Sequence, residues 1–166
     1  MKVAIIVMSD RCSKGLREDE SGKYLIEYLK SKGDEILYYK IIPDEKFEIK
    51  NTLLECADKL KVDLIITSGG TGLSPKDVTP QATQEVINYR VDGISEILRV
   101  EGYKKSPNAI LSRGIAGVRG TTLIVNLPGS LKAVKESIEL IYSALKHGIA
   151  VLKGEIKDCG RTEKGN

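Results

Sequence analysis

A three-layer α/β domain, with helices on both faces of a mainly parallel sheet, is the fold class this sequence predicts. Three observations carry the prediction. Apolar, β-branched runs alternate with helical spacings along most of the chain. The runs Val3 to Met8, Leu64 to Thr67 and Thr122 to Val125 are continuous rather than alternating, as strands buried on both faces must be. Turn residues close each run, and crossovers between parallel strands are right-handed.

The elements follow in order. Val3 to Met8 predicts the first strand, ending at Ser9-Asp10-Arg11. Glu18-Asp19-Glu20 then opens a helix with Tyr24, Leu25, Tyr28 and Leu29 on one face, Lys30 and Lys32 at its end and Gly33 beyond, in accord with the macrodipole and the glycine stop. Ile36 to Ile42 is a second strand closed by Pro43, and Phe47, Ile49, Leu53, Ala57 and Leu60 mark an amphipathic helix. After the third strand, a glycine-rich loop runs from Ser68 to Thr79. There Thr79 as N-cap and Pro80 at the first position start a helix carrying Val86 and Ile87. Ile94 to Val100 continues as helix, and Ser106-Pro107 caps another that reaches Ser112-Arg113. Ile115 to Val118 is a weak strand and Thr122 to Val125 a strong fifth one. Val134, Ile138, Ile141, Tyr142 and Leu145 define a last helix.

The chain has 166 residues, enough for one domain over 1–152 followed by a polar tail over 153–166. Hydrophobic residues at 41% against 30% charged exclude a disordered chain. Twenty-six Lys and Arg against 23 Asp and Glu give a net +3 without a dense basic block, which favours anionic small molecules over nucleic acid. A single histidine and three cysteines without a CxxC pair argue against a zinc site or a disulfide framework, and for a reducing, cytoplasmic setting. The apolar start is too short for a membrane span and lacks a small-residue cleavage site.

Ligands of open α/β sheets bind beyond the carboxyl ends of the strands. Three segments fall there: Ser9-Asp10-Arg11, the Ser68 to Pro80 loop, and Asn126-Leu127-Pro128-Gly129-Ser130. In Thr67-Ser68-Gly69-Gly70-Thr71-Gly72 the glycines allow positive φ and bring backbone N–H groups close to an anion, and the hydroxyls suit phosphate. The loop is neither a Walker A motif nor a GxGxxG fingerprint, and a steric need for glycine in a tight turn explains it equally well. Asp77 follows the loop and Asp44 follows Ile42-Pro43. Carboxylates beside a phosphate nest suit a bridging Mg²⁺, although each also reads as a helix-leading or turn acid. Ser130 sits where a helix N-terminus presents N–H groups, whether as anion contact or ordinary N-cap. Ser112-Arg113 and Arg119 offer fixed positive charge. Cys12 lacks a basic partner for thiol catalysis, and His147 reads as a helix C-terminal cation.

Taken together, Ser9-Asp10-Arg11, Ile42-Pro43-Asp44-Glu45, the 67–72 loop, Asp77-Val78-Thr79-Pro80, Ser112-Arg113 and Asn126 to Ser130 resemble, in order, the molybdenum-cofactor biosynthesis proteins of the MogA/MoaB family. The likeness spans about Lys2 to Leu152 and extends to gephyrin and to competence-damage proteins. It implies the MogA-like α/β/α sandwich, a trimer or hexamer, and adenylylation of molybdopterin by ATP with Mg²⁺, releasing pyrophosphate ahead of a molybdenum-insertion protein. By the same resemblance Asp44 and Asp77 are the catalytic, metal-handling acids. Ser68, Gly69, Gly70, Thr71 and Gly72 hold substrate phosphates, and Asn126, Pro128, Gly129 and Ser130 shape the pocket. Ser9, Asp10, Arg11, Thr79, Pro80, Ser112 and Arg113 complete the substrate-binding set. One departure is Gln81, where many relatives carry an acid, and the short chain resembles the MoaB branch more than longer MogA forms. A non-catalytic pterin- or partner-binding member of the same family is the alternative. A nicotinamide oxidoreductase would need a glycine fingerprint where Ser9-Asp10-Arg11 stands.

Overall fold

The computed structural model describes residues 1–156. Six strands form one sheet: β1 (Lys2–Met8), β2 (Glu35–Ile42), β3 (Leu64–Ser68), β4 (Tyr89–Arg90), β5 (Ala116–Arg119) and β6 (Thr122–Leu127), in the order β2-β1-β3-β6-β5-β4. The first four in that order are parallel, while β5 and β4 add antiparallel at one edge. Alternation within β1 divides the core. Val3, Ile5 and Val7 face one apolar cluster and Ala4, Ile6 and Met8 the other, and the run is buried on both sides as its composition requires.

Helices α2 (Glu20–Ser31), α5 (Asp92–Tyr103) and α6 (Leu131–Leu152) cover the first face through Leu25, Leu29, Val134, Ile138 and Leu145, with Ile94 and Leu98 packed on the margin. Helices α3 (Lys46–Leu54) and α4 (Thr79–Gln84) cover the second through Ile49, Leu53 and Ala82. This is the expected three-layer sandwich. A single turn, α1 (Asp10–Ser13), follows β1, with Ser9 as its N-cap accepting from the Cys12 N–H.

Local departures have physical causes. The helix predicted over Phe47 to Leu60 changes at Glu55 into a π-helical turn, Glu55–Lys59. That turn keeps Cys56 and Ala57 inside, while Phe47 in the first turn of α3 and Leu60 just past the π turn are exposed. Thr79 is the first helical residue rather than the cap, because Val78 holds the cap position. Helix α4 ends at Gln84, so Val86 and Ile87 lie beyond it, and the two-residue strand β4 intervenes before a separate α5. The Ser106-Pro107 segment forms a 3₁₀ helix, Pro107–Leu111. Of the predicted tail, 157–166 and Cys159 lie outside the described residues. Among those described, no helix is long and apolar enough to cross a membrane.

The chain leaves β1 for β2 on one side and returns to β3 on the other, so the sheet's topological switch lies between the carboxyl ends of β1 and β3. Such a switch opens the crevice in which α/β proteins bind ligands.

Candidate functional site

At this rim the chain turns through two successive glycines of positive φ, Gly69 at 100° and Gly70 at 64°. Both need glycine for space as well. A Cβ on Gly69 would stand 2.4 Å from the Met8 carbonyl oxygen, and one on Gly70 2.3 Å from Thr79 Oγ1. The loop is pinned from below, with Thr79 Oγ1 donating to the Gly69 carbonyl at 3.0 Å and the Thr79 N–H donating to the Gly70 carbonyl at 3.2 Å. Among the described residues the N–H groups of Gly70, Thr71 and Gly72 form no hydrogen bond, so the backbone is arranged as an anion cradle.

The second loop is laid directly against the first. Ser68 Oγ donates to the Pro128 carbonyl at 3.1 Å, the Gly69 N–H donates to the Leu127 carbonyl at 3.1 Å, and a Cβ on Gly129 would lie 3.3 Å from Gly69 Cα. Ser130 caps α6 by accepting from the Ala133 N–H, which sets that helix N-terminus beside the cradle. Beneath both loops is a buried polar knot. Asn126 Nδ2 donates to Thr67 Oγ1 at 2.9 Å and to Thr83 Oγ1 at 3.0 Å, and its Oδ1 accepts from the Ile115 N–H at 3.2 Å.

The acids flank the first loop. Asp44 Oδ1 lies 3.1 Å from where a Gly70 Cβ would be, and Asp77 Oδ2 lies 2.8 Å from the corresponding point on Gly72. Asp44 is clamped to Asp10 by reciprocal bonds: the Asp10 N–H donates to Asp44 Oδ2 at 3.1 Å, and the Asp44 N–H to Asp10 Oδ1 at 3.2 Å. Burial pushes the Asp44 carboxyl above its ordinary range, and the Asp10 and Asp77 charges push the same way. The Asp10 N–H and the Lys76 charge oppose them. Asp10 is held below its ordinary range, chiefly by the hydrogen bond from Lys76. Asp77 accepts from the Ser74 N–H at 3.1 Å. No group of three or more His, Cys, Asp or Glu forms a metal cage among the described residues. Two carboxylates crowded beside a phosphate cradle nevertheless fit Mg²⁺, which takes one or two carboxylates and completes its shell with phosphate oxygens and water.

From the glycine loops a cleft of about 760 Å³ extends between α5, the 3₁₀ turn and α6, a volume typical of small-molecule sites. Its walls bring Arg99, Lys105 and Lys132 toward the loops, together with Ser95 and Ser137. None of the five is legible in the sequence, because nothing in the local pattern says that α5 and α6 face each other across the cleft.

The sequence profile of a family described as a probable molybdopterin binding domain matches residues 4–147. This chain belongs to that family. Among MogA/MoaB relatives, the molybdopterin adenylyltransferase of Helicobacter pylori (strain ATCC 700392 / 26695) is 38% identical over 156 residues, covering 92% of this chain and 88% of its own. The molybdopterin adenylyltransferase of Pyrococcus furiosus is 38% identical over 151 residues, with 88% of each chain covered. The crystal structure of the molybdopterin biosynthesis enzyme MoaB from Thermus thermophilus superposes with a TM-score of 0.87 at 44% identity, covering 92% of this chain and 96% of that one.

The MogA/MoaB residues named from the sequence fall into two groups in space. Gly69, Gly70, Thr71, Gly72, Asp77, Ser112, Asn126, Pro128, Gly129 and Ser130 line the cleft. Ser9, Asp10, Arg11, Ser68, Asp44, Thr79, Pro80 and Arg113 do not, although Asp10 and Asp44 stand at its acidic edge. Several predicted substrate contacts are committed to the protein instead. Thr79 and Pro80 are buried, Ser68 joins the two loops, and Arg113 straps the loop that carries Asp77 by donating from Nε to the Gly72 carbonyl at 2.7 Å and from Nη2 to the Asp77 carbonyl. Asn126 is the last but one residue of β6 rather than part of a loop, and the side chain's three bonds all go to the protein. Arg119 stands away from the site. It pairs across the sheet with Thr122 at the start of β6, the opposite edge, and forks onto Asp58 at 2.7 and 2.8 Å. His147 lies within α6, well before its end at Leu152.

Proposed function

We propose that this chain is a molybdopterin adenylyltransferase of molybdenum-cofactor biosynthesis. The observation that carries the reading is the contact of the two glycine loops, Gly129 against Gly69, with Asp44 and Asp77 beside Gly70 and Gly72. Two anionic substrates must be brought together here, so repulsion and in-line alignment dominate the barrier. The chain meets that demand with oriented N–H donors, the α6 N-terminus and the cleft cations Arg99 and Lys132, Lys105 being paired with Glu136, and the attacking group is the substrate's own phosphate rather than an amino-acid nucleophile. A phosphate oxygen of molybdopterin attacks the α-phosphorus of ATP, forming a new phosphoanhydride as the α–β bond breaks and pyrophosphate leaves. Asp44 and Asp77 would hold Mg²⁺, which when bound neutralises phosphate charge and polarises the reacting phosphoryl group.

The adenylylated pterin is the natural substrate of a molybdenum-insertion protein, and the need for ATP favours the cytoplasm. A homo-trimer or hexamer is the proposed assembly. It is supported by the exposed apolar side chains Ile97, Val100 and Tyr103 at three-residue spacing on α5, with Ile110 exposed on the 3₁₀ turn that follows. Incubation with molybdopterin, ATP and Mg²⁺ followed by mass detection should yield adenylyl-molybdopterin and pyrophosphate. Tight pterin binding with no adenylylated product would refute the enzyme and favour the non-catalytic alternative.

A further inference from the structure

The loop between Gly72 and Asp77 is anchored by Arg113 at both ends, while Leu73, Ser74, Pro75 and Lys76 at its crest are exposed. From that crest Lys76 Nζ donates to Asp10 Oδ2 at 2.7 Å. Through the reciprocal Asp10–Asp44 bonds the ammonium stands one carboxylate away from Asp44. It is therefore a cation paired directly with the acidic edge. Its side chain is 74% exposed and that of Asp10 31%, so the pair is worth no more than an ordinary surface ion pair and exchanges at little cost. Lys76 does not line the cleft. A molecule lying in the cradle would meet it only with a charged group projecting outward past Asp77.

Resting on the adenylyltransferase reading, we infer that Lys76 is a partner-exchanging phosphate ligand. In its ion pair with Asp10 it neutralises that carboxylate. With nucleotide bound it moves to the β- and γ-phosphates, the pyrophosphate that departs, and gives up the carboxylate edge to a divalent cation. A compact ammonium on a flexible stem suits this task, because it can follow a leaving group as a fixed backbone N–H cannot.

The test uses the full chain without molybdopterin, so that no turnover occurs. Titration calorimetry with ATP and with AMP, each with Mg²⁺, should show Lys76→Met weakening ATP at least tenfold while AMP changes less than twofold, and Lys76→Arg restoring most of the ATP affinity. Mn²⁺ titrated alone and followed by electron paramagnetic resonance should bind Lys76→Met severalfold more tightly than wild type, since the competing ammonium is gone. Equal losses for both nucleotides, an unchanged ATP affinity, or weaker Mn²⁺ binding would each overturn the assignment. The readouts are binding constants. A wild-type chain that binds ATP as described but makes no adenylylated pterin refutes the enzyme reading and leaves the role of Lys76 standing.

Discussion

Gly15 and Gly70 have nearly the same backbone conformation, φ 69° and 64°, but opposite surroundings. A Cβ on Gly15 would meet nothing within 4 Å, whereas one on Gly70 would meet Thr79 Oγ1 at 2.3 Å and Asp44 Oδ1 at 3.1 Å. Alanine at either position costs about 1–2 kcal/mol for left-handed backbone, and each substitution returns about 0.4–1 kcal/mol by restricting the unfolded chain. Those contributions cancel between the two variants. What remains for Gly70→Ala is overpacking, about 1–3 kcal/mol, because Thr79 has no exposed surface and is held by bonds to both glycine carbonyls. At this chain length the difference amounts to roughly 2–12 °C in Tm. Urea denaturation of both variants measures it directly, and nucleotide binding should fall more than tenfold in Gly70→Ala while Gly15→Ala binds normally. Equal destabilisation of the two would refute the claim that the cradle is closed by this contact.

Three further outcomes follow from the same geometry. Asp77→Asn keeps an oxygen to accept from the Ser74 N–H, so folding and pterin binding should survive while pyrophosphate release falls by about 10²-fold or more; unchanged turnover would remove Asp77 from metal handling. Asp44 titrates high in the native state, so between its unfolded and folded values the native form binds more proton and loses stability as pH rises. Asp44→Asn should therefore raise Tm at pH 7 while abolishing turnover, with a gain that fades once the pH drops below the carboxylate range; a lower Tm at pH 7 would contradict the sign. Asn126→Leu leaves the Ile115 N–H buried without its acceptor, costing about 1–3 kcal/mol for that group alone by chemical denaturation.

Much of the framework was legible because burial dictates composition. The central runs of β1, β3 and β6 (Val3 to Met8, Leu64 to Ile66 and Leu123 to Val125) are continuously apolar, since each lies between two neighbours and under helices on both faces. Strand β4 escaped because two exposed residues at a sheet edge impose no pattern on the sequence. The Asn126-Leu127-Pro128 segment read as a turn because Asn, Pro and Gly are turn residues. Here Asn126 extends the strand by spending its amide on Thr67, Thr83 and the Ile115 N–H, which are distant in sequence. Arg119 was misplaced for a related reason. Its strand runs antiparallel to β6, so Ser112 and Arg113 before it reach the ligand rim and Arg119 after it is carried to the far edge. Residue type indicated which groups could meet an anion, and strand direction decided which of them stand at the rim.

The same distinction separates residues that hold the site from residues that act in it. Arg113, Thr79, Ser68 and Asn126 have their polar atoms turned onto neighbouring carbonyls, hydroxyls or amides, so substituting them should cost stability first and activity through displacement of the loops. Asp44 is the opposite case. Its charge is disfavoured where it stands, and under the proposed function that cost is offset when the carboxylate takes up a metal ion. Gly70 joins the two sets, since Thr79 on one side and Asp44 on the other approach the point where its side chain would begin. The fold therefore places the acid through the absence of a methyl group, and the acid requirement and the glycine requirement are one constraint on two positions distant in sequence.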